Sequence, residues 1–61
     1  MKLKNIVTMD DELTFTDIEI LKIKNERQLD KSIQNNKVLK IKEKNGEIYK
    51  LNSSYIIFYQ L

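Results

Sequence analysis

The chain has no cysteine, histidine, proline, tryptophan or alanine, and only one glycine and one arginine. Without cysteine, no disulfide can staple so small a domain. Without cysteine or histidine, thiolate and imidazole zinc sites are excluded. The missing histidine also removes the side chain whose ordinary pKa suits general base work near neutrality. Ser32, Ser53 and Ser54 stand in no activating pattern, and Gly46 alone cannot build a phosphate-cradling loop. Neither an enzyme nor a cofactor is therefore expected. Arg27, the sole arginine, leaves little material for bidentate recognition of bases or phosphates. No apolar run approaches the roughly 20 residues of a membrane-spanning helix. The opening MKLKNIVTMDDEL has neither the continuous apolar core nor the small-residue cleavage site of a secretory signal. The expected location is the cytoplasm.

A chain of 61 residues makes one domain with a thin core, since it buries only about 60% of the surface it exposes unfolded. With disulfides and zinc gone, association with another chain is the stabilising device left. The net charge of +2 is small but unevenly distributed. Residues 1–30 carry five positive and seven negative side chains, net −2, and residues 31–61 carry six and two, net +4. Such polarity can guide self-association or a charged partner. Lysine, isoleucine and asparagine dominate, all with A/T-rich codons, and with the small size this suits a phage or mobile-element protein.

The most apolar stretch is Ser53–Leu61, SSYIIFYQL. It is β-branched and aromatic, and follows the turn formers Asn52, Ser53 and Ser54, so it reads as a strand. Strict alternation puts Tyr55, Ile57, Tyr59 and Leu61 on one face and Ile56 and Phe58 on the other. Both faces are apolar, which predicts a central strand, or one whose second face is covered by a partner chain.

Val38–Leu51 reads as a hairpin turning at Asn45-Gly46. A two-residue loop would mix its faces. A three-residue loop, Lys44-Asn45-Gly46 with Gly46 left-handed, pairs Ile41 with Tyr49 and Leu39 with Leu51 and collects Lys40, Lys42 and Lys50 on the opposite face. That register sets Lys40 against Lys50, an unfavourable like-charge pair. Asn25–Asn36 is the helix candidate. Asn25 caps it, Gln28 is the reciprocal partner, Leu29 and Ile33 form its apolar stripe, and Asn35-Asn36 ends it. Leu3–Met9 is a strand that turns at Asp10-Asp11 and returns through Leu13-Thr14-Phe15, with Ile6, Leu13 and Phe15 on one face. Thr16-Asp17 reads as a polar turn, and the stretch to Lys24 as a further strand, although Thr16 and Glu19 also fit a helix capping box. Two three-stranded meanders joined by a helix result, with a similar layout at a spacing of 35 residues. The fold class is mainly β (α+β): a five- to six-stranded antiparallel sheet or SH3-like barrel, with one short helix at about residues 26–35 between two hairpin units.

Three surfaces are candidates for function. Tyr55, Ile57, Phe58, Tyr59 and Leu61 form a protein-interface candidate, because tyrosine is enriched at binding hot spots and this strand is more apolar than a thin core requires. Lys40, Lys42 and Lys50 form an anion or nucleic-acid face, without aromatics interleaved for base stacking. The alternative role for those lysines is a solvated face that keeps the sheet from aggregating. Asp10, Asp11 and Glu12 have no recognisable cation-loop spacing and read as a solvated hairpin tip. The leading expectation is a non-enzymatic protein-binding module: an oligomer, a dimer or higher, that also meets a host protein and, if phage-borne, inhibits a host defence protein in the host cytoplasm. The alternatives are a small nucleic-acid-binding barrel using the lysine face, and an oligomer that sequesters a small anionic ligand.

Overall fold

The computed structural model describes residues 1–10 and 13–61. Its first strand, β1 (Lys2–Thr8), turns Leu3, Ile6 and Thr8 inward. β2 (Thr14–Ile20) returns antiparallel to it with Ile6 opposite Phe15, the expected pairing. The expected tip, Asp10-Asp11, falls partly outside the described residues, as does Glu12. Thr8 holds the base of this hairpin: its buried hydroxyl lies 3.0 Å from the Asp10 carbonyl and 2.8 Å from that of Leu13. Leu13, expected beside Ile6 and Phe15, is instead exposed, because β2 begins only at Thr14.

Thr16-Asp17 is not a turn. β2 runs through it, and the expected turn followed by a new strand is replaced by one continuous strand. Asp17 takes a left-handed backbone, φ 49°, and Leu3–Ile18 and Asn5–Thr16 pair on either side of it. Across this break the buried positions step from Leu3 to Ile6 on β1 and from Phe15 to Ile18 on β2, three residues rather than two. Both strands thus exchange faces without ending. The strand expected as far as Lys24 stops at Ile20, and Lys22 is left-handed, φ 65°. The first unit is a two-stranded hairpin, not a three-stranded meander.

Helix α1 (Glu26–Gln34) forms where its caps stand. Asn25 Oδ1 accepts the Gln28 N–H at 2.9 Å. Gln28 reaches back one residue further than a capping box requires, its Oε1 accepting the Lys24 N–H at 2.7 Å. Asn36 ends the helix in a left-handed conformation, φ 54°. Leu29 is fully buried and Ile33 packs against the same core.

β3 (Val38–Lys42) and β4 (Ile48–Asn52) pair as the sorting of faces predicts, with Leu39 opposite Leu51, Ile41 opposite Tyr49 and Lys40 opposite Lys50. Gly46 donates its N–H to the Glu43 carbonyl at 2.9 Å and takes φ 88°, closing the three-residue loop. A 3-10 turn, Ser53–Tyr55, then leads into β5 (Ile56–Gln60). The sheet order is β4-β3-β2-β1-β5, so the two edges are β4 and β5. The C-terminal strand is therefore an edge, not the central strand its two apolar faces suggested. Where it sits is decided by the chain's return to β1, which no local pattern in residues 53–61 encodes.

The core draws Leu3, Ile6, Phe15, Ile18, Ile20, Leu29, Leu39, Ile41 and Leu51 from β1 through β4 and α1. Leu29 is the one helix residue wholly inside it. Leu29→Ala should cost about 2–5 kcal/mol, against a total stability of about 3–9 kcal/mol for a chain this size. Thermal unfolding followed by circular dichroism should show helix and sheet melting together at a much lower temperature. Helix loss with the sheet signal intact would show that the sheet does not need α1.

Candidate functional site

The approach to β5 is fixed by polar contacts. Asn52 caps the 3-10 turn, its Oδ1 accepting the Ser54 N–H at 3.0 Å and the Ser54 hydroxyl at 2.8 Å. Ser53 is fully buried, with its hydroxyl donating to the Ser32 carbonyl of α1 at 3.2 Å and its N–H to the Lys37 carbonyl at 3.0 Å. The Met9 N–H then reaches the Tyr55 carbonyl at 2.8 Å and starts the pairing with β1.

Strict alternation fails along β5. Tyr59 faces Ile6 and Phe58 faces Val7, but Thr8 faces Ile56, leaving Ile57 as an extra residue in a β-bulge. Ile56 and Tyr59 therefore pack against the core, while Ile57 and Phe58 both look outward. Tyr55 is 55% exposed, Ile57 59% and Phe58 54%, with Met9 beside them at 65%. Together these four expose roughly 500 Å², taking 150–250 Å² for an aromatic side chain. A patch of that size matches the largest found on typical monomers, which is often functional. Leu61 is also exposed but lies elsewhere, lining a cleft of about 480 Å³ together with Leu3 and Ile18. Of the five expected interface residues, the structure gathers Tyr55, Ile57 and Phe58, turns Tyr59 inward and sets Leu61 apart. Met9 was missed, since only its partnership with Tyr55 places it there.

Tyr59 donates its hydroxyl to the Asp30 carboxylate on α1, tying β5 to the helix. Its pKa is raised above the usual tyrosine value, first by burial, then by this hydrogen bond and the negative charges of Asp30 and Glu26. The Tyr49 hydroxyl donates to Glu47 at 2.6 Å, and this bond with the Glu47 charge raises its pKa as well. The Tyr49 ring stays on the core side, 5.7 Å from that of Phe15.

The lysine face forms as read from the hairpin register. Lys40, Lys42 and Lys50 are exposed, and Lys40 lies opposite Lys50. Lys42, however, faces Glu19 on β2, and Glu19 faces Lys2 on β1, so the basic character fades across the sheet. Exposed Val38 and Ile48 interrupt it further. The nearby cleft carries both signs on its rim, including Lys2, Lys42 and Asp17, with Lys44 3.3 Å from Asp17. Such a rim has no strong preference for an anion. Among the described residues no three acidic side chains gather as a metal ion would need. No helix among them is long and apolar enough to cross a membrane.

No family model, curated protein or solved structure matches this chain.

Two outcomes follow. Lys50→Glu turns a like-charge pair into an opposite-charge one and should stabilise the protein by about 0.5 kcal/mol, read as a Tm higher by roughly 3 °C; an unchanged Tm would mean that the two ammonium groups avoid each other in solution. For Tyr59, a pKa higher in the folded than in the unfolded chain means that the native state holds its proton longer. The associated stability is complete below the unfolded value near 10 and declines as pH rises above it. Urea midpoints should therefore fall more steeply above about pH 10 in the wild type than in Tyr59→Phe. Parallel slopes would mean that the Tyr59 hydroxyl holds its proton no longer in the folded chain than in the unfolded one.

Proposed function

We propose that the protein is a non-enzymatic protein-binding module that docks through the β5 edge. The observation that carries this reading is the outward turn of Ile57 and Phe58 at the bulge, next to Tyr55 and Met9. A soluble domain that kept this surface for itself would gain by burying it or by giving it charges. Aromatic and aliphatic anchors grouped around one strand are what a partner protein can desolvate, and tyrosine has the low side-chain entropy that suits such contacts.

A second reading, contact with nucleic acid or another polyanion through Lys40, Lys42 and Lys50, is favoured by the Lys40–Lys50 pair. That arrangement is unfavourable for the isolated fold and would be relieved by a phosphate between the two charges. Glu19 beside Lys42 counts against it.

The two readings separate in one comparison. Purified wild type, a Tyr55→Ala/Phe58→Ala variant and a Lys40→Glu/Lys50→Glu variant are used as baits under crosslinking. All four positions are exposed, so the folds should survive. A protein-binding module acting through β5 loses at least about tenfold of its captured partner in the alanine variant and keeps it in the charge-reversed one. The opposite pattern, with capture falling steeply as salt rises in the wild type, would transfer the function to the lysine face.

A further inference from the structure

Resting on the docking role given to β5, we infer that the occupant of this edge is a second copy of the same chain, paired β5 to β5 in antiparallel fashion about a two-fold axis. Three observations lead there. The first is the contrast between the two edges of the sheet. β4 carries Lys50, with Lys40 directly opposite it and Glu47 just ahead of the strand. Charge on an edge, lysine above all, is how a sheet prevents pairing with another chain. From Ser53 through Leu61 there is no charged residue, so the β5 edge lacks that protection. One edge of this molecule carries charge, and the other has only its bulge and its short length against pairing.

The second is self-complementarity. In a two-fold antiparallel pair the same strand lies on both sides, so a stripe of a single charge sign would meet its own sign. β5 offers uncharged Ile56, Ile57, Phe58, Tyr59 and Gln60 and meets no such repulsion. A partner with charged contacts would find nothing here to pair them with. The third is area. Met9, Tyr55, Ile57 and Phe58 expose roughly 500 Å² in one copy, so two copies can remove at most roughly 1,000 Å² of side-chain surface from water. That is about the area at which a specific interface becomes plausible. The bulge at Ile57 limits the regular ladder to a few residues, so the side chains rather than the backbone bonds supply most of the contact.

Sedimentation equilibrium of the full chain from about 1 μM to about 500 μM tests this. It is run on wild type, Ile57→Lys, Phe58→Lys and, on the charged edge, Ile48→Lys. All three positions are more than half exposed, and circular dichroism checks each fold. The expected result is a wild-type dimer, a dissociation constant at least about tenfold weaker in both β5 variants, and an unchanged dimer in Ile48→Lys. Amide hydrogen exchange gives a readout independent of any substitution: raising the wild-type concentration should protect β5 amides and leave β4 amides as they were. A wild type that stays monomeric throughout the range overturns the second copy as occupant, and leaves the docking role of β5 to stand or fall on the capture experiment. A dimer that persists undiminished in both folded β5 variants places self-association elsewhere and overturns the inference. Concentration-dependent protection of β4 amides in place of β5 would do the same.

Discussion

Ile6, Ile20, Leu29 and Ile41 come from β1, β2, α1 and β3 and are all fully buried. Burying such a side chain contributes about 1.5–3 kcal/mol. A domain of this size retains only a few kcal/mol of net stability, so this cluster has little redundancy. It explains the placement of α1, which has one wholly buried residue and too few residues to be stable alone. The helix exists because Leu29 completes a contact that three strands have begun.

Polar groups then direct what the apolar cluster cannot. Ser53 connects the 3-10 turn to α1 and to the start of β3, while the Tyr59 hydroxyl connects β5 to Asp30 on the same helix. These contacts route the chain from the β4 edge of the sheet to the β1 side. They deliver the strand richest in apolar side chains to a position with a neighbour on one side only. The resulting surface is a consequence of topology: the residues that make it would be unremarkable inside a sheet.

That distinction also marks what could be read from the residues. The β3–β4 hairpin was legible in full, because only one register separates Leu39, Ile41 and Leu51 from the lysines, and Gly46 supplies the left-handed turn. α1 was legible from Asn25, Gln28 and the Leu29–Ile33 spacing. The breaks in alternation were not. Asp17 flips both strands of the first hairpin, and an aspartate followed by apolar residues looks the same whether it sits in a turn or in a continuous strand. The bulge at Ile57 likewise depends on how β5 meets β1 across the ladder. An apolar run signals burial by something, without naming the neighbour. Tyr55, Ile57 and Phe58 were thus identifiable as candidates, while the inward turn of Tyr59 and the contribution of Met9 required the fold.

The β1–β5 ladder has a further consequence in time. Ile6 pairs with Tyr59, about 50 residues later in the chain, whereas its other neighbour, Phe15, follows almost at once. A growing polypeptide lengthens by roughly 5–20 residues per second, so β1 waits roughly 3–10 s for its second partner. Until β5 pairs with it, the hairpin of β1 and β2 has an unfilled edge along β1, with Val7 beside it. Contacts so distant along the chain are also the slow ones to form once synthesis has finished. When β5 arrives it closes the edge of β1 and, by the same act, presents an edge of its own.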